Sequence, residues 1–269
     1  MRKVLFLTAA LTLSAAFAFG ALGDIVASFP APANYPIALA VPNNYTNYLW
    51  VYCNNSPYRV YRVSGTTGSI FSFFYPLYGD KTRGLTYSYG GGGGLPAGSY
   101  LWMGNYQNDN IYRCRYTDGL PYAVIPAYHD MYGGLAVRAT GDGGRTPALM
   151  LSSDDNPATV YRQSLTSGSI YNAFYPSAGL YDLAWDWRNG IVWTGCFSNK
   201  VYGYTESGSL VTSFELPVSY PIGFAYTTNY LWVSTTSGSQ RIWQIHCPEF
   251  TDNTNVVPAS VGKIKATFR

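Results

Sequence analysis

From Asp24 onward the chain alternates short apolar runs with clusters of Gly, Pro, Asn and Ser, and one arrangement of those runs recurs. The clearest marker is an apolar run centred on tryptophan. Asn47-Tyr48-Leu49-Trp50-Val51 returns as Ser99-Tyr100-Leu101-Trp102-Met103, Gly190-Ile191-Val192-Trp193-Thr194 and Asn229-Tyr230-Leu231-Trp232-Val233. The third copy in chain order carries Leu149-Met150-Leu151, with Met150 in the tryptophan position. Each marker is followed by a second run: Val60-Tyr61-Arg62, Ile111-Tyr112-Arg113, Val160-Tyr161-Arg162, Val201-Tyr202-Gly203 and Ile242-Trp243-Gln244. Each is preceded by a short run of small and apolar residues: Ala38-Leu39-Ala40, Gly84-Leu85-Thr86, Gly134-Leu135-Ala136, Asp182-Leu183-Ala184 and Gly223-Phe224-Ala225. Runs of this length, bounded by turn residues, read as strands.

The copies start near Asp24, Ser69, Leu120, Ser169 and Ser209, and each holds four such runs. Four strands in roughly 45 residues is the size of a propeller blade. The sequence therefore predicts an all-β fold: a five-bladed β-propeller of four-stranded antiparallel blades. The small-residue run is the innermost strand, where blades converge. The tryptophan run is the second strand, where a large ring fills the widening wedge. The first copy opens with its outermost strand, Ile25 to Phe29, and the last ends after its third, Trp243 to His246. The N-terminal strand is thus expected to complete the last blade and close the ring, removing exposed edges. Six blades are the alternative, should one copy have diverged beyond recognition.

The first 23 residues stand outside this pattern. Arg2 and Lys3 precede an apolar run from Val4 to Phe19, followed by small residues, the layout of a secretory signal peptide. Cleavage after Gly23 leaves residues 24–250 as the propeller and 251–269 as a polar linker with a short alternating end, Lys263 to Arg269. An extracellular or periplasmic location follows from that reading. The run is shorter than the ~20 residues of a membrane span, and no later stretch is long and apolar enough. The mature part carries 15 basic and 14 acidic residues, a net charge of +1, which does not suit a nucleic-acid partner. The full chain's 26 Tyr, 28 Gly and 16 Pro fit many short strands and tight turns.

The spacing of Leu183-Ala184-Trp185-Asp186, the Tyr-Leu-Trp-Val run and the Ile-Tyr-Arg run resembles secreted bacterial propellers of the NHL, YVTN and SMP-30-like group. The resemblance spans residues 24–250 and implies the fold. It does not choose an activity, because such propellers serve both binding proteins and enzymes.

Candidate chemistry falls on one loop face. Asp80 and Asp130 stand at equivalent positions, four residues before the Gly of the inner-strand run in two neighbouring blades, and Asp182 takes that Gly position itself in the next blade. Lys81, Arg83 and His129 accompany them. Grouped carboxylates suit a hard cation such as Ca²⁺, or an acid–base pair acting on a glycosidic bond. The same residues also suit solvated turns. Tyr35, Tyr78, Tyr128, Tyr132, Tyr181 and Tyr220 fall in the same loops. Exposed tyrosines offer a flat apolar face and a hydroxyl for sugars or peptides, unless the rings pack on one another between blades. The expected ligand-binding set is therefore Tyr35, Asp80, Lys81, Arg83, His129, Asp130, Tyr132, Tyr181, Asp182 and Tyr220.

The glycine run Gly90 to Gly94 lacks the Lys-Ser/Thr of a phosphate loop, and Thr140 to Gly144 lacks the acidic ligands of a Ca²⁺ loop. Asp154-Asp155-Asn156 reads as a turn. Two histidines, His129 and His246, do not make a zinc site. Cys53, Cys114, Cys196 and Cys247 permit three pairings, but the repeat register favours buried free thiols. The expected function is a non-enzymatic secreted propeller that binds a protein or carbohydrate, with no catalytic residue and no required cofactor, Ca²⁺ being the one cation that suits it. The alternatives are a hydrolase or lyase with an acidic site at the channel mouth, and a structural component of a cell-surface or extracellular assembly.

Overall fold

Twenty strands pair into five four-stranded antiparallel sheets among the described residues of the computed structural model. Those residues are 21–42, 47–89, 98–128, 131, 133–138, 148–153, 158–176, 181–195 and 198–250. Most of the expected leader, the Gly90–Gly94 run, His129, Asp130, Tyr132, the Thr140–Gly144 segment, Asp154 to Asn156, Cys196 and the segment 251–269 lie outside them.

Strand β1 (Ile25–Pro30) precedes the first complete sheet, which runs outward from the centre as β2 (Pro36–Ala40), β3 (Tyr48–Cys53), β4 (Arg59–Ser64) and β5 (Ile70–Phe74). The second sheet is β6 (Thr82–Tyr89), β7 (Ser99–Asn105), β8 (Asn110–Arg115) and β9 (Pro121–Pro126). The third is β10 (Leu135–Arg138), β11 (Ala148–Ser153), β12 (Thr159–Gln163) and β13 (Ile170–Phe174). The fourth is β14 (Leu183–Asp186), β15 (Ile191–Gly195), β16 (Lys200–Thr205) and β17 (Leu210–Glu215). The fifth is β18 (Pro221–Thr227), β19 (Tyr230–Thr235) and β20 (Arg241–His246), with β1 as its fourth strand. Phe29 stands opposite Ile242, and Ser28 opposite Trp243. The six-bladed alternative is corrected: all twenty described strands are used by five sheets, and none is left to build a sixth.

The inner strands pack side by side in the order β2, β6, β10, β14, β18, and β18 packs in turn against β2. The apolar core is divided accordingly into five clusters, one at each junction between neighbouring sheets. Trp50, Trp102, Trp193 and Trp232 are fully buried in four of them. Trp50 stacks on Tyr87 of the next sheet at 5.2 Å between ring centroids. The fifth cluster, between the third and fourth sheets, uses Met150 with Trp185 and Tyr204 instead. Each strand alternates its side chains between the two faces, so both faces of every inner blade region are buried.

Gly-Ser recurs at the turn between the third and fourth strands, as Gly68-Ser69, Gly168-Ser169 and Gly208-Ser209. The Ser64 hydroxyl accepts hydrogen bonds from the N–H groups of Thr66 and Thr67, each at 3.2 Å. Ser164 does the same for Thr166 and Ser167. Gly68 then turns at φ +74°, and a Cβ there would lie 2.5 Å from the Phe29 ring, so only glycine fits.

Candidate functional site

The five inner strands bring five equivalent residues to the molecular axis: Ala38, Gly84, Gly134, Asp182 and Gly223. Four are Gly or Ala because there is no room for more. A Cβ on Gly134 would lie 2.2 Å from the Cα of Asp182. Into the space these small residues leave, Asp182 projects its carboxylate. Its Oδ2 accepts the backbone N–H of Phe224 at 3.0 Å and of Leu39 at 3.4 Å, and its Oδ1 accepts that of Leu135 at 3.2 Å. One side chain thereby ties its own blade to three others. Asp182 is 2% exposed, and burial raises its carboxyl pKa well above the usual carboxylate range, with the N–H groups of Phe224, Leu183, Leu135 and Leu39 pulling the other way.

One residue earlier on each strand stand Ile37, Arg83, Gly133, Tyr181 and Ile222, all half-buried. Along the chain they lie on the side of the loops that lead into the inner strands, next to the Asp182 position. Tyr35 and Tyr220 lie further out, each immediately before a proline and each exposed. Both hold a positive φ, 55° and 62°, a conformation that costs a bulky residue energy and clusters at ligand sites. The Tyr35 N–H donates to Gln240 Oε1 at 2.6 Å, and the Tyr220 N–H to the Ser198 carbonyl at 3.1 Å.

The second sheet supplies the positive charge. Arg83 donates to the carbonyls of Thr82 at 2.9 Å and Asp80 at 3.2 Å, and its guanidinium lies 4.6 Å from the Tyr106 ring centroid. Lys81 donates to the Tyr106 hydroxyl at 3.3 Å and pairs with Asp80 at 3.2 Å. The hydrogen bond to Tyr106 first, then the hydrogen bond and charge of Asp80, raise its pKa.

Of the expected set, Arg83 and Tyr181 thus take equivalent positions at the start of two inner strands, while Tyr35, Lys81 and Tyr220 lie in the loops that lead into inner strands. Asp80 sits with Lys81 at the surface, whereas Asp182 is enclosed below, so these two carboxylates occupy different environments. His129, Asp130 and Tyr132 lie outside the described residues. Among the described residues no three His, Cys, Asp or Glu side chains gather within metal-holding range. Tyr78 and Tyr128 are exposed but lean on Tyr112 and Tyr161, at 4.8 and 5.5 Å between centroids.

Two polar hubs escaped the sequence reading. Asp186 is buried in the β14–β15 turn, where it accepts from the N–H groups of Arg188 and Asn189, from Trp193 Nε1 and from the Cys247 thiol. Glu206 Oε2 accepts from both Arg138 and Arg162, joining the fourth sheet to the third. Asp186 stood in plain sight in the Asp-Trp-Arg-Asn-Gly turn; Glu206 gave no local signal, because its partners lie 68 and 44 residues away. Cys53, Cys114 and Cys247 are buried free thiols, and burial pushes Cys53 and Cys114 up to about 12.

No family profile matches the chain. A search of curated proteins also returns no match. Solved structures do match. A glutaminyl cyclase from Myxococcus xanthus aligns with a TM-score of 0.62 and 11% identity, over 85% of this chain and 97% of that one. Raptor from Chaetomium thermophilum aligns with a TM-score of 0.52 and 10% identity, over 86% of this chain but 30% of that one. At such identities the likeness is one of fold, and the fold it identifies is the β-propeller.

Proposed function

We propose that the chain is a secreted, non-enzymatic β-propeller that binds a glycan or protein partner at the mouth of its central channel. The observation that carries this reading is the set of equivalent entry positions, where Ile37, Arg83, Tyr181 and Ile222 stand partly exposed one residue before the axial positions that include the buried Asp182. Concave sites that combine apolar walls with a few fixed polar groups are typical of ligand binding. The strained, exposed Tyr35 and Tyr220 add flat faces at the rim. Export is supported by the charged and apolar start of the sequence.

A glycan array and a pull-down with the full chain, each run with and without Ca²⁺, test the proposal. A ligand found in either should lose about tenfold in affinity or more on Arg83→Ala or Tyr181→Ala, the loss of one buried contact of 1.4 kcal/mol or so. A ligand that binds both variants unchanged would place recognition elsewhere. The likeness to a glutaminyl cyclase makes turnover a necessary control; consumption of a bound ligand by the wild type would replace the binding reading with an enzymatic one.

A further inference from the structure

The outer strand β5 of the first sheet presents a second surface, far from the channel in the order of strands. β5 is the last strand of its sheet, so one row of its N–H and C=O groups has no strand partner among the described residues. Proteins usually protect such an edge with proline or charge. β9 carries Pro121 and Pro126, β1 ends in Pro30, and β17 ends in Glu215, paired with Lys200. β5 reads Ile70-Phe71-Ser72-Phe73-Phe74, with neither; β13, Ile170-Tyr171-Asn172-Ala173-Phe174, also has neither, but β5 alone of the two exposes phenylalanines, Phe71 at 59% and Phe73 at 46%.

Two arginines flank it. Arg59 lies 4.2 Å from the Phe73 centroid and donates to the Tyr75 hydroxyl at 3.1 Å. Arg62 lies 4.0 Å from the Tyr48 centroid. Neither has a carboxylate within ion-pair reach among the described residues, and the Nε of each is without a hydrogen-bond partner. The equivalent of Arg62 in the third sheet, Arg162, is neutralised by Glu206 from the neighbouring blade. The position in the second sheet that matches Glu206 is Tyr116, which places a backbone carbonyl on Trp50 and no charge on Arg62. Three residues apart on one strand, Arg59 and Arg62 face opposite sides of the sheet. Aromatic packing holds both guanidinium planes in place for bidentate contact with a carboxylate.

We propose that β5 takes an extended, acidic segment of a partner protein as an added strand, with carboxylates on its two faces reaching Arg59 and Arg62. Main-chain hydrogen bonds would supply affinity, and the arginines the preference for acid. The probe is a fluorescent peptide, Thr-Val-Glu-Glu-Val-Thr, titrated against the full chain at low salt. Binding should weaken about tenfold when Lys replaces both Glu, when the peptide backbone is N-methylated at alternate residues, or in Arg59→Ala/Arg62→Ala. Ser72→Glu, at an exposed position of β5, repels the acidic peptide without touching the core and serves if the arginine variants fold poorly. Arg113→Ala, in the second sheet, should leave binding unchanged. Equal binding of the Lys peptide, retained binding of the N-methylated one, or no effect of either the arginine or the Ser72 change would overturn the proposal. So would dimerisation of the chain abolished by Phe73→Lys, which would assign the edge to a second copy.

Discussion

At the scale of single residues, the axis is governed by volume. Four of five equivalent positions are Gly or Ala, and the fifth, Asp182, uses the room they leave. Gly134→Ala drives a methyl group into the Asp182 backbone, which a side-chain rotation does not relieve. Asp182→Ala leaves three inter-blade N–H groups without their acceptor. Unpaired buried donors cost about 1–3 kcal/mol each, so we expect a melting temperature lower by at least about 6 °C, from 2–4 °C per kcal/mol at this size. The pH dependence has a definite sign. Burial raises the Asp182 pKa above its unfolded value, so folding takes up a proton. Its contribution is complete below an unfolded pKa of roughly 4 and is lost as pH rises through the folded value. Thermal melts of Asp182→Asn from pH 4 to pH 8 should therefore fall less steeply than those of the wild type, whatever their absolute level. An unchanged slope would assign the ionised form to Asp182 throughout. The sequence showed the oddity, an Asp where four repeats have Gly or Ala, but not its meaning. A turn carboxylate and an axial one read alike until the strands converge.

At the scale of elements, periodicity carried most of the fold. Each copy placed its strands within a residue or two, because the alternation of Leu49-Trp50-Val51 or Leu231-Trp232-Val233 is set by which side chains must enter the wedges between sheets. Trp102 is fully buried, donates to the Ser88 hydroxyl at 2.8 Å, and spans the cluster between the second and third sheets. Trp102→Ala should cost about 3–5 kcal/mol, measured by denaturant unfolding. Trp102→Phe should cost less, since it keeps most of the volume. The contacts between elements were less legible. Glu206 bridges Arg138 and Arg162 across two sheets, and nothing near it in the chain marks it. With Arg138 only 3% exposed, Glu206→Gln removes the charge that pairs with a buried cation across the sheet junction. We expect a loss of about 3–5 kcal/mol, whereas the exposed pair of Arg115 and Asp118 should contribute under 1 kcal/mol or so when broken.

At the scale of the whole molecule, the two ends of the propeller meet in one sheet. The first strand of the chain is hydrogen-bonded to β20, and Phe29 is buried 6.2 Å from Trp232 between the fifth and first sheets. The Arg241 guanidinium reinforces the seam with bonds to the Ser28 carbonyl and hydroxyl at 3.1 and 2.9 Å. This pairing spans more than 200 residues, so its loop-closure entropy is met only once the intervening blades are in place. Removing residues 21–30 uncovers the edge of β20 and opens the cluster around Trp232. Hydrogen exchange should then show protection lost first in β20, β19 and β2, while β6 to β9 keep theirs. A synthetic peptide of residues 21–30, added in trans, should restore it by taking the vacant edge. Uniform loss of protection across all five sheets would mean instead that the ring folds as one unit and has no local seam. Full protection without the strand would mean that β18 to β20 and their neighbours hold the ring closed through the inner strands alone.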